Sequence, residues 1–363
     1  MDPMKPDVMV KQVADLANMM RVNTRLFDHD IRNILNPLEF LSLQRVYTVG
    51  DGDSFHACMA SELAFENIAH ISTDPMSAMR FLDYGADFIP TAFPNDTLMI
   101  GISASGKTQR VVQSLERARK TSPNVRTVTF TGGADSPVSR AAERAVVLTL
   151  PDLGNSPGIR TYSATLIGLY LLAIRIGEVR NKYHMDEANA MRKELENLAS
   201  VVEATAAQMD MPARQAAAAL KDAPNMIFVG SGPSYGTALF SAAKVIEAAG
   251  VFSMGQDLEE WWHVERFAYP DSTPTFIIAP PGRGYWRAVE MAKAAKEMGR
   301  RIIAVVHHQD KEIAPLADFV LPVMGDVREE FSPLVYHVAG DLFASYLAES
   351  LGRLLFQTDR VSK

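Results

Sequence analysis

Hydropathy comes in blocks along this chain: a short apolar run, a loop of small residues, then apolar positions at helical spacing. The clearest block spans residues 98–120. Leu98, Met99, Ile100 and Ile102 read as a buried parallel strand. Ser103, Ala104, Ser105, Gly106, Lys107 and Thr108 follow as a loop. Val111, Val112, Leu115 and Ala118 then recur on one helical face. The same pattern predicts strands over 45–49, 69–73, 125–131 and 145–150. Helices are predicted over 6–35, 55–68, 161–176 and 185–208. The first helix ends before Asn36-Pro37, since the residue preceding a proline disfavours helical backbone. Strands alternating with helices predict an α/β fold on a doubly wound parallel sheet.

The second half repeats the pattern. Strands are predicted over 225–229, 275–279, 301–306 and 319–322, with helices over 235–249 and 285–298. Two stretches match directly, YTVGDGDS and IFVGSGPS: Gly50, Gly52 and Ser54 correspond to Gly230, Gly232 and Ser234. So long a period indicates a duplicated domain rather than a solenoid. The expected organisation is an N-terminal helical region over 1–40, a first domain over 41–208 and a second over 209–363. The boundary is expected near 209–214. In the second copy the loop after the strand is Pro280-Pro281-Gly282-Arg283-Gly284. Its hydroxyls are gone, so the two copies are expected to differ in role.

Composition narrows the class. At 363 residues with 47% hydrophobic content, each half can bury a core. A net charge of −7 argues against nucleic acid as a partner, because a phosphate backbone needs a basic face. A local loop can still bind a small anion. The single cysteine, Cys58, allows no disulfide and no multi-thiolate metal site within the chain. The first residues carry no apolar signal core. The longest apolar run, 164–174, stops at Arg175 and reads as a buried helix, not a membrane span. A cytoplasmic protein is expected, with no membrane partner.

The 103–108 loop holds the first candidate chemistry. Hydroxyls and free N–H groups at a helix N-terminus form an anion site, because dipole and donors point the same way. An ordinary capped strand–helix connection reads the same. Residues 101–108 also match G-x-x-x-x-G-K-[ST], the phosphate loop of nucleotide hydrolases. Ile102 extends the strand into that motif, however, and Asp152 is the only fair candidate for a magnesium-holding acid. A dinucleotide reading of Gly50-x-Gly52 fails at its third glycine, where Phe55 stands.

In combination these residues resemble the SIS (sugar isomerase) domain family, present in tandem from about Arg45 onward. The resemblance is to the isomerase half of glucosamine-6-phosphate synthase and to deglycases of phosphorylated Amadori compounds, of the fructoselysine-6-phosphate type. It implies two flavodoxin-like domains behind an N-terminal helical extension. It also implies that Ser54, Ser103, Ser105 and Thr108 bind a sugar phosphate, with the N–H groups of Ala104 and Gly106. Ala104 stands where the synthase has a glutamine. Gly52 and Glu260 complete the implied substrate-binding set. The 158–164 segment is similar to the family's loop beside the sugar.

On the same resemblance, Glu247 is the proton-transfer carboxylate and Lys244 its support. His263, in the segment Asp257-Leu258-Glu259-Glu260-Trp261-Trp262-His263, opens the sugar ring and reaches the other subunit of a homodimer. The residues alone leave other readings open. Glu247 also fits the exposed face of a helix. Glu260 and His263 also fit a surface pair, or two metal ligands lacking a third. Trp261-Trp262 fits packing.

The chemistry suits these groups. A carboxylate can move a proton between C1 and C2, an imidazole can open the ring, and a cation can steady the enediol charge. No cofactor and no metal are required. The chain begins Met1-Asp2-Pro3 without a nucleophilic cysteine, and Phe240 stands where the synthase has a carboxylate. Both features point away from a complete glutamine-dependent synthase. The expected function is release of an amine from an Amadori-type hexose 6-phosphate. Amino-sugar phosphate deamination or isomerisation is the alternative. A non-catalytic sugar-phosphate sensor is another, though no helix-turn-helix appendage is evident. The tail, with Arg360 and Lys363, is similar to a shortened family tail.

Overall fold

The inner strands of both sheets are almost wholly buried, and the edge strands are partly exposed. A computed structural model describes residues 4–90, 97–122 and 124–360. Two helices open the chain, α1 (Asp7–Arg32) and α2 (Pro37–Ser42). The second is absent from the hydropathy pattern. Asn36 starts it with a capping box: its side chain accepts from Glu39 N–H, and Glu39 accepts from Asn36 N–H. Pro37 at the first helical position needs no donor there.

The first sheet follows. Its elements are β1 (Arg45–Gly50), α3 (Asp53–Asn67), β2 (Ser72–Ser77), a single turn α4 (Ala78–Arg80), β3 (Thr97–Ser103), α5 (Gln109–Thr121), β4 (Arg126–Thr131), α6 (Pro137–Ala141) and β5 (Arg144–Val147). The strand order is β2-β1-β3-β4-β5, every pair parallel. β3 is central and buried at every position. β2 is an edge strand carrying Pro75. It lies C-terminal to the strand predicted over 69–73, because an edge strand tolerates polar residues and proline that hydropathy reads as loop.

Helices α7 (Arg160–Val179) and α8 (Met185–Leu220) come next. α7 is long and apolar enough to cross a membrane by length and composition, yet 83% of its most apolar stretch is buried inside the protein. α8 outruns its predicted end at 208. It passes through Pro212 and continues on an alanine-rich segment. Residues 209–214 therefore lie within a helix rather than a connecting loop.

The second sheet is built from β6 (Asn225–Val229), α9 (Pro233–Ala249), β7 (Phe252–Gln256), α10 (Leu258–His263), β8 (Pro274–Ala279), α11 (Tyr285–Glu297), β9 (Arg301–His307) and β10 (Phe319–Val323). Its order is β7-β6-β8-β9-β10, again all parallel. The two sheets thus have the same strand order. Short α12 (Pro333–Tyr336) and α13 (Val338–Ser350) close the fold. α13 is buried along most of its length, and its Gly340 meets Ser241 of α9 at distances only a glycine permits.

The chain divides into two compact units. One comprises Asn18–Pro151 and Thr161–Asn197 and contains the first sheet. The other comprises Met1–Ala17, Asp152–Arg160 and Leu198–Lys363 and contains the second.

Candidate functional site

Each sheet opens its first helix in the same way. Gly52 (φ +55°, ψ −129°) caps α3, and Gly232 (φ +57°, ψ −130°) caps α9. These positive φ values exclude most side chains. Ser54 and Ser234 then pack against Gly50 and Gly230, where no Cβ could fit. The duplication read from the sequence is therefore a duplication of backbone geometry.

In the first domain, the loop after β3 is a tight hydroxyl-lined turn. Ser103 is buried at the strand end, and its Oγ lies 2.8 Å from Thr108 Oγ1. One hydroxyl of this pair donates to the other, leaving an O–H for a ligand. Ser105 Oγ accepts from Lys107 N–H at 3.2 Å. Ala104, Ser105 and Lys107 are exposed. Gly106 has φ +67°, and a Cβ there would lie 2.4 Å from Ser136 Cβ. Its N–H donates to Ser103 O at 2.9 Å. Gly106 thus closes the turn, instead of offering the free N–H that the resemblance implied. Thr108 starts α5 without a side-chain cap bond, so the first-turn donors face the loop. Asp152 Oδ1 accepts from Gly154 N–H at 2.8 Å in a local turn.

Strand register identifies the corresponding loop. Val49 pairs with Gly101, and Val229 with Ile277. Ser103, Ser105, Gly106, Lys107 and Thr108 then correspond to Ala279, Pro281, Gly282, Arg283 and Gly284. A carboxylate fills this second loop. Glu329 Oε1 accepts from Arg283 N–H at 3.0 Å, and its Cδ lies 2.5 Å from where a Gly282 Cβ would be. Burial raises its pKa above the ordinary glutamate value. The hollow lined by Ser231, Ser234, Gly284, Tyr285 and Glu329 holds only about 20 Å³. Nothing in the hydropathy pattern pointed to Glu329.

The second domain carries its chemistry on α9. Lys244 is 0% exposed, and its Nζ pairs with a Glu247 carboxylate that keeps 33% exposure. The same Nζ lies 4.8 Å above the centroid of the Phe240 ring. That cation–π contact occupies the place where the synthase-type pattern expects a carboxylate. Phe240 in turn meets His337 edge-on, and His337 Nδ1 lies 2.6 Å from Asp341 Oδ2 in a wholly buried pair. The end of α9 is tied down. Arg353 Nη1 donates to Ala249 O, and Gln357 Nε2 donates to Ala248 O at 3.4 Å. In the first domain, Ala64 and Asn67 of α3 stand in the places of Lys244 and Glu247.

His263 ends α10, which Asp257 caps by accepting from Glu259 N–H at 2.8 Å. His263 is 63% exposed, with Nε2 3.2 Å from Glu259 Oε1. Glu259 also accepts from Arg287 at 2.7 Å, which holds its carboxyl below the ordinary glutamate range. The histidine's carboxylate partner is therefore Glu259, one helical turn before it, and Glu260 is exposed. Trp261 is fully buried, and Trp262 sits under the guanidinium groups of Arg266 and Arg287. Both tryptophans pack. Cys58 is buried with its thiol pKa pushed up to about 12, mainly by desolvation, so it is no nucleophile. Among the described residues, no group of three or more His, Cys, Asp or Glu is arranged to hold a metal. Arg360 lies in the C-terminal segment, and Lys363 lies outside the described residues.

Comparison with known proteins agrees with this geometry. The model of the SIS domain matches residues 39–175 and 219–338. Glutamine–fructose-6-phosphate aminotransferase (isomerizing) from Thermococcus kodakarensis is 28% identical over 327 residues, covering 88% of this chain and 52% of that protein. The chain thus spans about half the length of the curated relatives it matches. The C-terminal domain of glucosamine-fructose-6-phosphate aminotransferase from Francisella tularensis superposes with a TM-score of 0.80 at 18% identity, covering 95% of this chain and 96% of that one. Glucosamine-6-phosphate deaminase from Thermotoga maritima superposes with a TM-score of 0.72 at 18% identity, covering 95% of each. At these identities the structural likenesses establish the fold. The chain belongs to the SIS domain family, with two copies of the domain in tandem, homologous to the isomerase half of the aminotransferase.

Proposed function

We propose that this protein is an enzyme acting on an aminated, Amadori-type hexose 6-phosphate, from which it releases an amine and a hexose 6-phosphate. The observation that supports this most is the Lys244–Glu247 pair. A wholly buried ammonium fixes a carboxylate that still reaches solvent, as a positioned proton carrier requires.

In this reading Ser54, Ser103, Ser105 and Thr108 hold the phosphate, with the Ala104 N–H beside them. Gly52 and Gly106 shape the two turns that present these groups. His263 opens the ring, and its exposure suits a role completed across a homodimer. Glu247 then removes a proton from C1 of the open-chain ketose and returns it to C2. The C1–N bond becomes an imine. Water adds at C1, the C–N bond breaks, and the amine leaves. In the same reading Glu260, exposed on α10, is a further substrate contact.

A second reading is amino-sugar phosphate deamination or isomerisation. Phe240 is as compatible with deamination as with amine release from an Amadori compound, since it takes the place of the carboxylate that synthase-type isomerisation uses. Incubation with a 6-phosphofructosyl-amino acid and, separately, with glucosamine 6-phosphate distinguishes the two. The first reading predicts hexose 6-phosphate from the Amadori compound and no ammonia from glucosamine 6-phosphate. The reverse result supports deamination. Binding of both without product identifies a sensor.

A further inference from the structure

A second cavity shares no lining residue with either loop. It holds about 670 Å³ and is formed by the start of α1, the end of α13 and the turn that follows. That volume suits a small organic ligand. Pro6, Val10 and Leu354 supply apolar wall. Four cations line it, Lys5, Lys11, Arg214 and Arg353, against two carboxylates, Asp7 and Glu349. This basic excess stands out in a chain of net charge −7.

The pairings show which cations remain. Lys11 Nζ bonds Asp7 at 2.7 Å, and Arg214 Nη1 bonds Glu349 at 2.9 Å while lying over the Tyr346 ring. Lys5 Nζ makes no hydrogen bond or ion pair among the described residues, although its charge acts on nearby Asp7. Arg353 uses Nη1 for the carbonyl of Ala249 and its backbone N–H for that of Ala348, and its Nε and Nη2 have no partner among those residues. The wall is fixed by backbone contacts: Ser345 Oγ donates to Pro6 O at 2.8 Å, and Leu355 N–H to Met4 O at 2.9 Å. Two uncommitted cations beside an apolar wall match a small organic anion, a carboxylate, sulfonate or phosphate on an apolar or aromatic body.

We propose that this cavity is a binding site for such an anion, separate from the hydroxyl loop and from Glu247. The inference holds whether or not the sugar-phosphate reading does. Arg353 joins the cavity wall to the last carbonyls of α9, the helix that carries Lys244 and Glu247.

The test uses the full chain and the aromatic sulfonate 8-anilinonaphthalene-1-sulfonate, followed by fluorescence titration. One saturable site per chain is expected. Val10→Trp, which fills the cavity, and Lys5→Glu, which reverses one cation, should each weaken binding at least tenfold with an unchanged circular dichroism spectrum. A Ser105→Ala, Thr108→Val double variant should bind like the parent. No saturable binding, or an affinity equal to that of the parent in both cavity variants, overturns the proposal. Loss of binding in the double variant also overturns it, since the probe would then occupy the hydroxyl loop.

Discussion

The two sheets share strand order, glycine caps and strand register, yet divide their polar groups between them. In the first domain the loop after the third strand is rich in hydroxyls, and the helix after the first strand carries Ala64 and Asn67. In the second domain the loop has Ala279, Pro281 and Gly284, and the helix carries Lys244 and Glu247. Each copy has lost what the other keeps. The difference teaches that backbone duplication preserves a frame, while side chains at equivalent positions decide what that frame does.

The largest expected effect concerns the helix. Lys244→Met should lower kcat by at least about 100-fold, as loss of a positioned acid–base system does. KM should change little. Removing one partner of the pair leaves Glu247 without its cation, so Tm should fall, and kcat is compared well below it. Steady-state kinetics alongside calorimetry checks both parts. An unchanged kcat would place Lys244 outside the chemistry.

The loops differ in how they tolerate a methyl group. Gly106→Ala puts a side chain at positive φ and into Ser136, at a cost of roughly 2–5 kcal/mol. Gly282→Ala meets the Glu329 side chain from Cγ outward rather than backbone, and that chain can turn away at about 1 kcal/mol for one hydrogen bond. Urea unfolding of the two variants measures the contrast, and equal losses would break it.

Binding should follow the hydroxyls. Ser105→Ala and Thr108→Val should each weaken a hexose 6-phosphate by roughly tenfold, as hydrogen bonds to charged groups do. Ala279→Ser in the second loop should change nothing. Isothermal titration reports all three.

The smallest effect is electrostatic. Burial raises the Glu329 pKa, so the folded state favours its protonated form. Stability from this group is therefore lost as pH rises through the interval between its unfolded and folded pKa values. Glu329→Gln should flatten that part of the stability–pH curve. A curve parallel to that of the parent would show that Glu329 ionises at no cost.

Much of this was legible in the sequence. Central strands such as β1 and β6 are buried on both faces and fall where hydropathy puts them. The edge strands β2 and β7 were misplaced or missed, because half-exposed strands carry serine, proline and glycine. α13 was also missed: buried nearly all round, it shows no amphipathic period. Among site residues, Gly50, Gly52 and Ser54 repeat as Gly230, Gly232 and Ser234, and the hydroxyls of the 103–108 loop stand together in the sequence, so both were legible there. Glu329 acts through a tertiary contact with Arg283 and leaves no local pattern, while Glu259–His263 and His337–Asp341 stand at an i, i+4 spacing that any surface helix pair shares.

The central claim is that Glu247 performs the proton transfer while the hydroxyl loop of the first domain holds the phosphate. Glu247→Gln tests it most directly, with turnover of a 6-phosphofructosyl-amino acid and binding of its phosphate ester measured on the same preparation. The expected result is a loss of turnover on the order of 10²–10⁴-fold, with affinity within a few-fold of the parent. Full turnover in the variant, or loss of binding together with activity, would contradict it.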